Sequence, residues 1–314
     1  MQALLSVIIP HYNGIHHLPP CFTALRQQTY SNLEIILMDN GSSDESVAVT
    51  RRDFPEVKVV ELAHNLGFTG AINRGIEQAQ GEIIAPLNND TEVAPNWAKA
   101  LVEALEQHPQ AGIAASKMLL FKQRDTLHSA GDGFGCDGIP INRGVWQKDV
   151  GQFDQDTYIF GGCGGAVAYR HEMLAEIGLL DEDFFMYLED VDLNWRAQLA
   201  GYRTIFVPEA VVYHHLSATG GGTLASFYTG RNTLFMLAKN LPGPLFRRHW
   251  LAILKAQLKI AYEALRAWRG EAARARLRGQ LAGLWGLPKW LAKRKEVHRT
   301  RRVDDNYLES LLSH

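Results

Sequence analysis

LSVIIP, Leu5 to Pro10, decides the fold. A nearly continuous apolar run of this length, ended by the turn residues HYNG, reads as a strand buried on both faces. A helix is expected over Leu18 to Gln28, and the unit then repeats. LEIILMD (Leu33 to Asp39) is a second strand ended by NGSSD, whose Ser43 or Asp44 can cap the next helix. VKVVEL (Val57 to Leu62) is a third, followed by a helix over Phe68 to Gln80. GEIIAPLNND (Gly81 to Asp90) is a fourth, and Pro95 and Asn96 start a helix to Gln107. Strands alternating with helices imply an α/β fold of parallel βαβ units, with right-handed crossovers and helices on both faces of the sheet. Ligands bind such sheets beyond the carboxyl ends of the strands. Pro10 to Gly14, Asp39 to Asp44 and Asn88 to Thr91 therefore form one candidate site.

The chain of 314 residues is long enough for one large domain and an appendage. Hydrophobic residues make up 46% and charged residues 21%, which excludes a largely disordered protein. Cys21, Cys136 and Cys163 are too few and too scattered for a disulfide framework or a zinc site, and fit a reducing compartment. MQALLSVIIPHYNG lacks a charged leader and reads as a first strand instead of a signal peptide. No window approaches the roughly 18 uncharged apolar residues of a spanning helix. Charge is distributed unevenly: residues 1–238 hold 15 Lys+Arg against 28 Asp+Glu, and residues 239–302 hold 17 against 3. The expected division is thus an acidic body, 1–238, and a basic helical region, 239–314.

The strand ends carry the chemistry. Asp39 and Asp44 flank a Gly-Ser loop that suits the base and ribose of a nucleotide, and equally suits a plain turn. HNLGFTGAINRG (His64 to Gly75) sets glycines and amides where a helix starts, so its N–H groups can face phosphate. It lacks the GxGxxG spacing, which argues against a dinucleotide oxidoreductase. GGCGG (Gly161 to Gly165) suits close backbone approach to a ligand. Asn88-Asn89-Asp90 offers a carboxylate with amide neighbours to a hard divalent cation. A second ligand is sought in VVYHHLSATGGG (Val211 to Gly222), after the probable strand TIFVP. His214 and His215 point to opposite faces, so at most one shares a site with Asp90, and Ser217 and Thr219 suit a ligand loop.

In DFFMYLEDVDLNWRAQLAGYR (Asp183 to Arg203), the carboxylates Glu189, Asp190 and Asp192 open an amphipathic helix. Leu188, Val191, Trp195 and Leu199 fall in one arc, so that face is expected to be buried. Asp192 lies at its edge, four residues before Arg196, and is expected to form a salt bridge with it. Asp190 points almost the opposite way. Two readings stand for the acids: charges favoured at a helix N-terminus, or Asp190 as a general base in a cleft.

Taken in order, SVIIPHYNG, MDNGSSD, NLGFTGAINRG, LNNDT, FFMYLEDVDLNWR, YHHLSATGGG and YTGRN resemble the motifs of the inverting family 2 glycosyltransferases. The similarity spans about residues 5–235 and is closest to bacterial rhamnosyltransferase-like members. It implies a GT-A fold: a Rossmann-like nucleotide-binding half joined to an acceptor half around one mixed sheet, here with a C-terminal helical extension. By the resemblance, Asp39 meets the nucleobase and Asp44 supports its loop. Pro10, Tyr12, Asn13, Asn40, Gly67, Asn73, Asn88 and Asn89 line the nucleotide-sugar site. Asp90 and His214 would hold Mg2+ or Mn2+, Asp190 would be the base, and Glu189 its neighbour near the acceptor. Arg231 and Asn232 match an RN motif placed to meet the diphosphate or the acceptor. Asn88 stands where the full DxD motif has its first acid, which removes one charge from the metal site.

The activity so implied is transfer of a sugar, rhamnose from dTDP-rhamnose, to a hydroxyl of a cell-envelope saccharide on a lipid carrier. The alternative is an inactive nucleotide-sugar-binding scaffold. The tail sets Trp250, Trp268, Trp285 and Trp290 among Lys and Arg. It suits a lid packed on the body, or a surface attracted to anionic lipid at the cytoplasmic face of the plasma membrane. Nucleic acid is not expected, since no binding motif accompanies the charge.

Overall fold

The computed structural model describes residues 2–216 and 222–313. Its first half alternates as expected: β1 (Leu5–His11), α1 (Leu18–Arg26), β2 (Leu33–Asp39), α2 (Ser46–Asp53), β3 (Lys58–Glu61), α3 (Gly67–Gln78) and β4 (Ile83–Pro86). The four strands lie parallel in the order β4-β1-β2-β3, with Leu5 opposite both Leu33 and Ile83. The fourth strand stops at Pro86, shorter than expected, which leaves Asn88 to Asp90 in the turn before β5 (Thr91–Val93) and α4 (Trp97–Gln107).

Beyond α4 the sheet becomes mixed. β6 (Ala111–Leu120), β7 (Gln123–Ser129), β8 (Asp132–Gly135), β9 (Pro140–Asn142), β10 (Tyr158–Ile159) and β11 (Val167–Arg170) precede α5 (His171–Ile177) and α6 (Glu189–Leu199). β12 (Arg203–His214) then returns parallel to β6, with β11 antiparallel between β6 and β4. β6 contains AGIAAS, a poor strand former on its own, and all ten of its residues are buried. Partners on both sides supply what local propensity does not.

Two apolar layers cover the faces of the sheet, one built on α1 and α4, the other on α3, α5 and the inner side of α6. A third cluster joins the body to α7 (Gly222–Asn240), α8 (Gly243–Arg266), α9 (Glu271–Val297), α10 (Asp305–Ser310) and β13 (Leu312–Ser313). Phe184 and Trp195 share it with Phe235, Trp290 and Leu312. The charge boundary at residue 238 therefore falls inside α7 and coincides with no break in the packing. β13 also adds itself to β8 as a parallel strand. Trp290, only 1% exposed and stacked 4.1 Å from Phe235, belongs to this core, while Trp250, Trp268 and Trp285 stay exposed.

α6 departs from the amphipathic expectation: every residue of it except Asp190 is buried. A helix enclosed on nearly all sides must satisfy its polar side chains internally.

Candidate active site

The loop after β1 and the loop after β2 are built on each other. Asp44 Oδ2 accepts the N–H groups of Gly14 (2.9 Å) and Ile15 (3.1 Å), and Asp44 Oδ1 accepts that of Ser46 (3.2 Å). Partial burial pushes the Asp44 carboxyl up, but the donors from Ser46 and Ile15 outweigh it and hold the group below the usual range. Asn13 returns the favour, giving its N–H to Ser42 Oγ (2.9 Å) and accepting from Ser43 N (2.9 Å). Pro10 is half-buried behind this loop and Tyr12 stands 44% exposed on it. Asp39, 3% exposed, accepts from Ser42 N at 3.2 Å through Oδ2, and its Oδ1 is buried without a partner among the described residues. An acceptor left unmatched at a strand end is costly unless a ligand N–H meets it.

His11 and Asn89 fix the next turn. Asn89 Nδ2 lies 2.7 Å from His11 Nδ1, and His11 Nε2 lies 2.7 Å from Ser46 Oγ. The amide can only donate, so His11 accepts at Nδ1 and donates at Nε2. Burial lowers its pKa, consistent with this neutral form. Sequence reasoning passed over His11, which lies between two of its own candidates.

Beside this turn, Asp90 Oδ1 lies 3.1 Å from His214 Nε2, and both side chains are nearly buried. His215 goes elsewhere, 2.9 Å from Glu92 and stacked on Phe121. His128 of β7 was not anticipated: its Nδ1 is 3.1 Å from His214 Nδ1. Burial, then the neighbouring His214, lowers its pKa to about 4, so it is neutral and can orient His214. No three His, Cys, Asp or Glu side chains converge as metal ligands among the described residues. Asp90 and His214 still fit a hard cation that takes one oxygen and one nitrogen from protein and the rest from phosphate and water. Ser217 and Thr219, read as a ligand loop, lie outside the described residues.

The glycine run brings the two halves together. Gly164 N–H donates to Asp190 Oδ2 at 2.8 Å, and the next carbonyl, Gly165, accepts from Asn88 N at 2.9 Å. A Cβ on Gly164 would lie 3.0 Å from Asp190, and one on Gly161 would lie 2.2 Å from Asn194 Nδ2. Gly161 and Gly164 thus make their close approach to the helix that carries Asp190. Burial raises the Asp190 carboxyl, opposed by the Gly164 and Val191 N–H groups. Burial, then the charge of Asp190, pushes Glu189 well above the usual range, and its Oε2 has no partner. Asp190, with backbone donors, is the member of the pair that ionises first. Asp132 adds a third carboxyl, 6% exposed and pushed well up by burial and by Asp190; its DGFG context reads only as a turn.

Asp192 forms the expected salt bridge to Arg196 Nε (2.9 Å), and more. It also binds Lys239 Nζ (2.9 Å) and Asn240 Nδ2 (2.8 Å), and Lys239 and Lys293 reach Asp181 at 2.8 and 2.7 Å. Burial pushes Asp192 up, but Lys239 and Arg196 outweigh it and keep the carboxylate charged.

Four sequence candidates turn inward. Asn232, fully buried, donates to the carbonyls of Phe184 (3.1 Å), Met186 (2.9 Å) and Tyr187 (2.7 Å), and Arg231 Nη2 to those of Asp183 (2.7 Å) and Phe184 (2.9 Å). The RN pair therefore holds the loop ahead of α6. That loop needs holding, since Phe185, Tyr187 and Leu188 all have φ of 65°. Asn73 ties α3 to Leu180 through N–H and C=O (2.8 and 3.1 Å). Asn40 uses both ends of its amide on Asn65, Leu66 and Gly67. The start of α3 is closed as well: Gly67 N–H goes to Asn65 Oδ1 (2.8 Å) and Thr69 N–H to Phe185 O (3.2 Å). A Cβ on Gly67 would strike Phe185 at 2.5 Å, so these amides serve the chain and not a phosphate.

Comparison with known proteins matches this architecture. The family model for glycosyl transferase family 2 covers residues 6–178. The N-acetylglucosaminyl-diphospho-decaprenol L-rhamnosyltransferase of Mycobacterium tuberculosis (strain CDC 1551 / Oshkosh) is 26% identical over 271 residues, 77% of this chain and 87% of the relative. The amylovoran biosynthesis glycosyltransferase AmsB of Erwinia amylovora is 26% identical over 228 residues, 67% and 69% of the two chains. Among solved structures, GalNAc-T7 with UDP, GalNAc and Mn2+ aligns with a TM-score of 0.62 and 19% identity. That alignment covers 76% of this chain and 48% of the other, so the chain spans about half of that enzyme. The mannosyltransferase PcManGT of Pyrobaculum calidifontis, in complex with GDP-Man and Mn2+, aligns with a TM-score of 0.57 and 17% identity over 96% of this chain and 86% of its own. With the family model spanning more than half of its length and the GT-A fold shared with both structures, the chain belongs to glycosyl transferase family 2 and is a glycosyltransferase.

Proposed function

We propose that the protein transfers a sugar, rhamnose from dTDP-rhamnose, with inversion, to a hydroxyl of a lipid-linked cell-envelope saccharide. The observation that carries this reading is Asp190: the one residue of α6 that is not buried, fixed by Gly164 next to the residue that binds Asn88. A carboxylate with raised proton affinity, held beside the turn that would carry the donor diphosphate, is suited to take the acceptor proton as the sugar is displaced. Glu189, whose proton affinity burial and Asp190 raise, is suited to hold a proton and donate it to an acceptor oxygen. Asp39 Oδ1 is available to a nucleobase N–H.

Asp90 and His214 would hold Mg2+ or Mn2+. When bound, such an ion offsets the charge that gathers on the departing diphosphate. Asn88 in place of an acid makes this a weakly charged site, so affinity for the ion depends on the donor's phosphates. Support for rhamnose and for a lipid-linked acceptor comes from the name of the mycobacterial relative.

Residues 1–238 serve as the catalytic body and 239–314 as a helical region fused to it. No helix among the described residues is long and apolar enough to cross a membrane. α8 instead exposes Phe246, Trp250, Leu254, Leu258, Tyr262 and Leu265 at helical spacing, among basic residues. That face suits peripheral attachment to anionic lipid at the cytoplasmic side of the plasma membrane.

The test is a panel of nucleotide sugars screened by thermal shift with and without Mn2+, followed by transfer assays on the donor that stabilises. Metal-dependent stabilisation by dTDP-rhamnose above other donors is expected, and transfer should follow. Stabilisation without transfer or hydrolysis would return the scaffold reading.

A further inference from the structure

Between α7, α8, α9 and the β8–β9 hairpin lies a cavity of about 430 Å³. Ile139, Leu188, Ile260, Ala264 and Ala273 give it mostly apolar walls. Leu188 is the residue directly before Glu189 and Asp190, so the cavity abuts the head of the catalytic helix. Thr229 and Thr233 also line it, but their hydroxyls are spent on the carbonyls of Ala225 and Thr229, both at 2.7 Å. Glu263, the one acid on the wall, is exposed at the rim.

Arg276 is the exception in this lining. It is half-buried, yet makes no hydrogen bond or ion pair with any described residue. The nearby cations of the tail behave otherwise: Lys239 and Lys293 each meet carboxylates, and Arg274 donates to the carbonyls of Trp268 and Arg269. Burial lowers the Arg276 pKa with no partner to oppose it, though a guanidinium stays charged. A cation held in an apolar recess without a counter-charge is unfavourable, and a bound anion removes the penalty. Walls of this kind hold hydrocarbon, and one guanidinium can pair with the phosphate of a lipid head. α8 lines the cavity with Ile260 and Ala264 and also carries the exposed apolar stripe, so one helix bears both features.

We infer that this cavity binds a lipid phosphate, with Arg276 on the phosphate and the walls from Leu188 to Ile260 on the first hydrocarbon units. It thereby anchors the acceptor beside Asp190. The inference rests on the transferase reading for the word acceptor, and on Arg276 and its surroundings for the binding itself.

The experiment is calorimetric titration of the full chain with three probes: farnesyl diphosphate, farnesol and inorganic pyrophosphate. Farnesyl diphosphate should bind more tightly than either of the others. Arg276→Gln should weaken it by about tenfold, the loss of a charge-assisted contact. Arg276→Lys should retain part of the affinity, and Arg278→Gln, exposed on the same helix, should retain all of it. The donor-induced thermal shift should be unchanged in Arg276→Gln, which establishes that the variant is folded. Equal binding of farnesyl diphosphate by Arg276→Gln and the parent overturns the inference. So does inorganic pyrophosphate binding as tightly as farnesyl diphosphate, which would leave only an anion site. If no donor supports transfer while the dependence on Arg276 persists, the transferase reading fails and the lipid-phosphate site stands.

Discussion

The donor-side loops and the helix that carries Asp190 are held in opposite ways. The loops at Pro10–Gly14 and Asp39–Asp44 brace each other through Asp44 and Asn13, within adjacent βα units and partly in contact with water. α6 is enclosed, and what fixes it comes from afar: Gly164, Arg231, Asn232, Lys239 and, through Asp181, Lys293. The same contrast appears two residues apart on the helix itself. Asp192 is kept charged by cations and has no exposure, while Asp190 has raised proton affinity and an open side. Under the proposed function, such a site separates the carboxylate that holds the helix from the one that takes the acceptor proton.

Substitution tests that separation directly. Asp192→Ala leaves Arg196 buried without its counter-charge and Lys239 with Asp181 alone, and should cost about 3–5 kcal/mol of stability, read as denaturant midpoint. Asp190→Asn should do the reverse: turnover falls by about two orders of magnitude or more, while donor binding and stability stay close to the parent. If both variants lost stability equally, the two carboxylates would not be separable. In the parent, the base must be deprotonated, so turnover should fall as pH drops through the Asp190 pKa. Because burial raises that value, the acid limb should lie above the range of an ordinary carboxylate, and Asp190→Asn should abolish it.

Asn232→Ala sharpens the comparison from the loop side. It strips the donor from three carbonyls of a strained segment, with an expected loss of about 1–3 kcal/mol and lower turnover at unchanged donor affinity. A change in donor affinity instead would put Asn232 back at the diphosphate. The smallest effect is expected on the donor side. Asp39→Asn should weaken nucleotide binding by about tenfold in a thermal-shift titration, with little change in stability, since Oδ1 has no partner among the described residues.

How far the residues could be read depended on the range of their contacts. Asp44 and Asn13 were legible because strand-end loops in a βα repeat face one another by geometry alone. The Asp192–Arg196 pair was legible because four residues are one helical turn. Asn40, Asn73, Arg231 and Asn232 were given to the ligand and are spent on carbonyls instead. Nothing in a local pattern distinguishes a polar side chain that faces a cleft from one that faces a distant loop. His128 and Asp132 carried no usable signal for the same reason: β7 and β8 reach the site only through pairing with β6, β9 and the glycine run.

By itself the sequence determined the parallel half of the sheet, the strand-end loops and the ordered motifs of the family, because periodicity and turn chemistry act over a few residues. Tertiary structure decided the enclosure of α6, the different surroundings of Asp190 and Asp192, and the fusion of the basic tail to the core through Trp290. It also decided that Arg276 meets no partner among the described residues. Burial and the pairing of charges belong to surroundings assembled from segments tens to more than a hundred residues apart, and no local spacing encodes them.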